Sequence, residues 1–485
     1  MPNYGYFDFS SGVNLLANPL SSNDNGKSLE WADSENVELQ GYNGIRKMKG
    51  NSVFLDISTI TGKSCKILAL SEYRKNRDKF LVFVYADETE AYLCITDLDS
   101  PTLTVVRKGM DKSAKYNLEP YSNGIIVSNG VANSFIYFHE EIPNIIKCKT
   151  FEAYGIYPVD IKVHKGKLYA FNDDKEGILY YSSLGNPSIW EEKTDGSGGG
   201  FFSTIAGSDK PIRGLGTFGD ALAIHRDKQT ILLTGGSEDD FLTTPFSNLG
   251  SLSARGIINY DNKQYFYDDG IFALQYSSLQ QIQLSSEFSR LISPAFVAMN
   301  PNNFKNMIAI PFPPNRQIWF FMSDSLLETD ELNIVWIMDR KDPKKVTWYR
   351  RRALPVICAC TCINKIYTGT LDGKILLEND TDTLCGKDFN GYWKSIWLKF
   401  GTLKLKSVEE GLDVGFGDVS TGVTLEYRFN LNESKVKSRL IIPTTGKTVK
   451  RRNVPGIFKS IQIGIKSIHD FALNSLSFYD ISIEE

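Results

Sequence analysis

Histidine is nearly missing from this chain of 485 residues: there are four, His139, His164, His225 and His469, far apart in the sequence. They form no HExxH and no His–carboxylate pair at ligand spacing, which excludes the common zinc-hydrolase arrangements. Surface or strand-edge positions are expected for most of them. Charge of one sign is also lacking. The 54 Lys and Arg against 57 Asp and Glu leave a net charge of −3, so overall balance gives no general attraction to nucleic acid. Long hydrophobic runs are absent: LVFVY at 81–85 and IWFFM at 318–322 are far too short to span a bilayer. The start Met-Pro-Asn-Tyr-Gly has neither a basic n-region nor an apolar h-region. No membrane span and no secretory signal are expected, and synthesis is expected in a cytoplasm.

The cysteines number seven, an odd count scattered through the chain, so no disulfide framework is expected. Cys358, Cys360 and Cys362 are spaced as CACTC, which puts three thiols on one face of a strand. That arrangement reads either as a metal site or as small apolar residues on a buried face. With no CxxC and no nearby histidine, packing is the stronger reading. DGSGGGFFST at 195–204 lacks the GK[ST] ending of a phosphate-binding loop, and TTGKTVKRR at 444–452 lacks its preceding glycine. The pairs Asp173-Asp174, Asp239-Asp240 and Asp268-Asp269 suit turns as well as Ca²⁺. No Ser-x-Asp-x-Gly-x-x-Trp box of sialidase type occurs. Neither catalysis nor a cofactor or metal is expected.

What the sequence does have is strands. Tyr and Phe are abundant, 23 and 29, as suits a β protein. The stretch 199–278 sets the pattern: GDALAIHRDKQTILLTGG reads as a hairpin turning near Asp227. NLGSLSARG follows as a polar loop, and NKQYFYDDGIFALQYSS turns on Asp268-Asp269-Gly270. Similar hairpins lie near Asp87, Gly130, Asp173, Pro314 and Asp372, about 47 residues apart on average. A strand-built period in the forties without helical periodicity is the mark of a β-propeller. A blade cannot bury both faces alone, so neighbours must stack and the ring must close. The WD dipeptide and the kelch glycines are missing, and a tandem of β-sandwiches is the competing architecture. The expectation is an all-β fold: a β-propeller of about seven blades, within six to eight, over 61–382. An extended lead-in arm precedes it over 1–60. A C-terminal antiparallel β-domain over 383–485 either packs on the ring or completes its last blade.

Two basic clusters stand out. RKDPKKVTWYRRR contains Lys344, Lys345, Trp348, Tyr349, Arg350, Arg351 and Arg352. GKTVKRRNVPG contains Lys450, Arg451 and Arg452. Lysine and arginine with interleaved aromatics suit phosphate contact and base stacking. A solvated strand edge or a subunit interface is the stronger reading, and an acidic partner also fits.

The opening GVNLLANPLSSNDNGKSLEWADSENVELQGYNGIRKMKGN resembles the N-terminus of tail hub and nozzle proteins of short-tailed bacteriophages. The matching residues are Ala32, Asn36-Val37-Glu38-Leu39, Gly44-Ile45-Arg46 and Gly50. Ser11-Gly12 stands where a Gly pair is usual, and Gly44 is closer to Arg46 than in the family pattern. YYSSLGNPSIWEE at 180–192 is similar to the family's S-x-x-G-N-P-x-x-W stretch. IRGLGTFGDALAIHRDKQTILLTGG with GSLSARGIINYDNKQYFYDDGIFAL is similar to a third. The similarity covers roughly 8–50 and 160–278. It implies a structural role in the virion tail, assembled in the host cytoplasm: a ring of six propellers below the portal and its adaptor ring. Such a ring extends or closes the DNA-exit channel and holds tail fibres or the tail tip. It also implies non-specific contact at most with passing DNA, the lead-in arm resting on a neighbouring ring protein, and Trp190, Trp348 and Trp393 as interface anchors. Two other classes fit the residues alone: a cellular propeller scaffold that binds peptides, and a carbohydrate-binding or carbohydrate-hydrolysing propeller.

Overall fold

The computed structural model describes residues 4–483 apart from 18–28, 42, 76–77, 123, 132–134, 143–144, 152–154, 173–176, 195–196, 205–210, 237–239, 280, 343–344, 401, 403, 418–421, 442–447 and 455. Within strands it describes the backbone alone at 75, 78, 135–142, 145–151, 353, 409–410 and 448–452. The two α-helical segments among these residues, Ile57–Thr61 and Ser293–Val297, have five residues each. Everything else that is regular is strand or 3₁₀ turn.

Five four-stranded antiparallel sheets follow one another over 66–110, 117–151, 158–203, 212–247 and 258–284. A seven-stranded sheet over 308–378 comes next and takes Asn51–Asp56 as its last strand. It makes two blades, because the strand Thr347–Cys362 changes partner midway. Its first half pairs with Leu332–Asp339 and its second with Lys365–Thr370, with a register shift near the changeover. Pro355, which has no N–H for a ladder, lies at that point.

The inner strands are Lys66–Lys75, Asn117–Tyr121, Pro158–His164, Ile212–Phe218, Ile258–Tyr260, Ile308–Phe312 and the second half of Thr347–Cys362. They touch in that order, and the last touches the first. The ring therefore closes, and the fold is an all-β propeller. Counted this way it has seven inner strands among the described residues.

Local chemistry makes the blades. Each of the seven hairpins expected from sequence has its two strands paired, although the turn at Asp173-Asp174 lies outside the described residues. Tighter turns join inner strands to second strands. Lys165-Gly166, Asp261-Asn262 and Ile363-Asn364 are two-residue loops with both residues at positive φ. That is the turn whose twist matches paired strands. The apolar cores lie between blades: Val82 and Leu93 pack with Ile125 and Val127, and Phe171 and Leu179 with Leu222 and Ile231. Stacking, not any single sheet, buries these side chains.

The first 56 residues are not an arm. Trp31–Glu35 pairs with Gly391–Ser395 in a five-stranded sheet that continues through Ile461–Ser467, Val423–Phe429 and Asn432–Ile441. Tyr4–Tyr6 and Gly44–Lys47 pair with Ala472–Ile483 in a second sheet. That sheet also holds Val37–Gln40, Lys406–Phe416 and Thr448–Arg452. The two sheets share one apolar core, and that core continues into the blade over 308–352 through Trp319, Trp336 and Trp348. The division into an arm over 1–60 and a separate domain over 383–485 is thus corrected: both chain ends build one β-sandwich. The reason is that neither end has enough apolar surface to fold alone. The last blade is completed not by the C-terminal strands but by Asn51–Asp56, which fastens the start of the ring to its end.

Candidate functional site

The described part of the first basic cluster lies where the ring meets the sandwich, and its three arginines are paired with carboxylates from within the chain. Lys344 lies outside the described residues. Lys345, half-buried, donates to the Ser11 hydroxyl at 3.0 Å, and burial pulls its pKa down. Trp348 donates its indole N–H to Phe288 O at 2.9 Å. Tyr349 is buried, donates to Asp339 at 2.6 Å and stacks on Trp31 at 6.2 Å. Arg350 reaches Asp33 at 3.2 Å and Glu35 at 3.5 Å, and Arg352 reaches Asp324 at 2.7 Å. The strand that carries them is the fourth of its blade and lies against the strands Trp31–Glu35 and Val37–Gln40. The expectation of a basic surface over 345–352 is therefore corrected to an internal joint. Lys450, Arg451 and Arg452 sit on the terminal strand of the second sandwich sheet, and their side chains lie outside the described ones.

Arg351 goes deepest. Its guanidinium lies 2.6 Å from Glu378, both side chains have 2% exposure or less, and Trp319 lies under it at 5.1 Å. Glu378 also accepts from Thr368 at 2.8 Å and from the Asn51 amide at 3.2 Å. One carboxylate thus ties two blades to the strand that closes the ring. Spacing gave no sign of this, since the partners are 27 and 327 residues apart.

The residues that carry the resemblance do related work. Asn36 adopts φ 57°, donates its amide to Asn390 O at 2.9 Å and accepts from Arg352 N at 2.9 Å, joining sandwich to ring. A Cβ at Gly50 would lie 2.0 Å from Thr383 O, so no other residue fits there without movement. Glu38 pairs with Arg46 at 2.7 Å. In the 180–192 stretch, Trp190 donates to Pro187 O at 2.8 Å across its own turn. Trp190, Trp348 and Trp393 are all buried, which corrects their expected place as surface anchors; Trp393 packs edge-on against Phe9 at 5.5 Å.

Inside the ring, Asp160 spans three successive inner strands. It accepts from the Asn117 amide and, at 3.2 Å, from Leu215 N. Burial pushes its pKa up to about 6. Lys162 pairs with Glu119 at 2.7 Å. These side chains and the inner strands leave a cavity of about 300 Å³. That is far too small for a duplex whose major groove alone is about 12 Å wide.

His164 and His225 are buried, against the expectation of surface or strand-edge positions, whereas His469 is exposed as expected. His225 sits 3.0 Å from Gln264 Oε1 and 3.1 Å from the Thr230 hydroxyl, and burial holds its pKa down to about 4. The His139 side chain lies outside the described ones. Cys358, Cys360 and Cys362 line the inner strand of the closing blade, all buried. Burial pushes the thiols of Cys358 and Cys362 up to about 12. Because only a thiolate reacts, a thiol reagent at about pH 8 is expected to leave all three unmodified in the folded protein and to label them on denaturation. Peptide mapping checks this; modification of any of the three in the folded protein would count against the packing.

The strand order defines a β-propeller that carries a β-sandwich built from both chain ends. No protein-family model and no curated protein matches the chain. Among solved structures, it is similar to the β-propeller domain of Myceliophteria thermophila Cps50 (Swd1), with 10% identity over 68% of this chain and 100% of that one, TM-score 0.45. It is also similar to a catalytically inactive virginiamycin B lyase from Staphylococcus aureus with quinupristin, with 14% identity over 67% and 97%, TM-score 0.42. The computationally designed Ika8 protein gives 11% identity over 67% and 99%, TM-score 0.38.

Proposed function

We propose that this chain is a structural, non-catalytic subunit of a short-tailed bacteriophage tail, one of six in a hub or nozzle ring below the portal and adaptor. Its work is to extend or close the DNA-exit channel and to hold tail fibres or the tail tip. The observation that carries the reading is the resemblance over 8–50 and 160–278. The described matching residues that join parts of the chain are those that hold it as one body, above all Asn36 and Gly50. A tail component must pass load between neighbours, and a ring and sandwich with one shared core suit that task.

On this reading DNA passes between subunits, not through a propeller whose centre leaves a cavity of only about 300 Å³. The paired arginines at 350–352 add no free phosphate-binding charge; contact with passing DNA is left to Lys344, Lys450, Arg451 and Arg452. The neighbour-binding role moves away from the lead-in, which is engaged within its own chain. The test is to mix the purified chain with portal and adaptor proteins of a short-tailed phage, those of its own source genome where it encodes them, then count subunits by native mass spectrometry and electron microscopy. Six-fold rings on the adaptor are expected, with the chain present among the peptides of purified virions. Its absence from virions would end this reading.

A further inference from the structure

A four-stranded blade that runs inner to outer starts every inner strand on the same face of the ring. Residues just before or at the start of different inner strands therefore converge there, although they are far apart in sequence. On this face a cavity of about 170 Å³ opens above the channel. Its cationic lining comes from four inner-strand starts: Lys115, Arg213, Arg255 and Lys305. No carboxylate lines it among the described residues. Arg213 is held by Asp227 at 3.1 Å, and Lys115 by Asp330 at 3.0 Å, both from outside the lining. Lys305 stands exposed at the rim.

Arg255, half-buried, lines both this cavity and the channel below it. One guanidinium N–H donates to Ile357 O at 3.1 Å. No carboxylate forms an ion pair with it among the described residues, and burial lowers its pKa. A guanidinium has five N–H donors, so most of this one's capacity is not taken up by that carbonyl. Phe171, Ile212 and Leu252 form apolar walls beside it, which lower the local dielectric and strengthen whatever ion pair forms there.

We propose that this mouth binds a phosphate-type oxyanion, with Arg255 as its principal donor and Lys305 closing over it. A tetrahedral oxyanion suits the site because the planar fork of Arg255 and the ammonium of Lys305 can each take a different oxygen. The ligand is either free phosphate or a phosphate monoester.

The experiment is calorimetric titration of the full chain at constant ionic strength with inorganic phosphate, a nucleoside monophosphate and acetate. Saturable binding of the first two is expected, with acetate weaker. Tighter binding of the monoester would identify an ester as the source, and equal binding would identify free phosphate. R255Q is expected to lower the affinity about tenfold or more, with R255K retaining part of it. K305Q, at an exposed position where folding is not at stake, is expected to lower it by a smaller factor. K437Q, on the exposed strand Asn432–Ile441, should leave it unchanged. No saturable phosphate binding, acetate binding as tight as phosphate, or equal affinity in folded R255Q and K305Q would each overturn the proposal.

Discussion

Deleting residues 1–50 is expected to leave no folded sandwich and to cost the chain its solubility. The deleted stretch carries Phe9, Val13, Trp31, Val37 and Ile45, each with 1% exposure or less. Full burial of such side chains contributes about 1.5–3 kcal/mol apiece. Even as upper estimates, five together match the roughly 5–15 kcal/mol that holds a typical domain folded. The loss also uncovers what they cover: Trp393, which Phe9 meets edge-on, and Tyr349, on which Trp31 stacks. Three sandwich strands from the lead-in pair with C-terminal ones, so their removal leaves Gly391–Ser395 and Ala472–Ile483 with open edges. Unpaired edges of that kind aggregate. Size-exclusion chromatography and near-ultraviolet circular dichroism of residues 51–485 would check this. A monomer with native aromatic signals would show that the sandwich stands without its first strands.

Glu378→Ala is expected to destabilise the ring by about 3–5 kcal/mol, because it strands a buried Arg351 without its carboxylate. It also frees the amide of Asn51 on the closing strand. Arg351→Ala is expected to cost a similar amount. By contrast, Arg352→Ala removes a pair whose members are 40% and 31% exposed, and its effect should stay within about 1 kcal/mol. Replacing both partners together, Arg351→Met with Glu378→Leu, should recover much of the loss, since two well-packed apolar groups leave no unpaired charge. Urea denaturation followed by tryptophan fluorescence measures all four. Equal midpoints for Glu378→Ala and Arg352→Ala would show that the carboxylate does not fasten the ring.

Much of the propeller was legible because its signals are local. A polar or Gly/Pro-bearing turn between alternating strands needs only a dozen residues to declare itself, and two of the seven hairpins, at Asp269-Gly270 and Asp372-Gly373, turn on Asp-Gly itself. The turn at Ile363-Asn364 was not legible, because a β-branched residue at positive φ contradicts turn propensity and is held there by the strands on either side. The long strand Thr347–Cys362 was also missed. Its tryptophan, tyrosine and three arginines look like a surface patch until Asp33, Glu35, Asp324 and Glu378 are brought to it from other parts of the chain.

The sequence by itself determined that the chain is built of short antiparallel ribbons, that Cys358, Cys360 and Cys362 share one strand face, and that no histidine-based metal motif is spelled out. Each of these depends on residues within one or two strands of each other. Only the tertiary structure decided that the two chain ends share a sandwich, that Asn51–Asp56 seals the ring, and that cations from four inner-strand starts meet at one mouth. Those outcomes depend on ring closure, which makes neighbours of residues hundreds of positions apart, and no local pattern records which distant segment will be the neighbour.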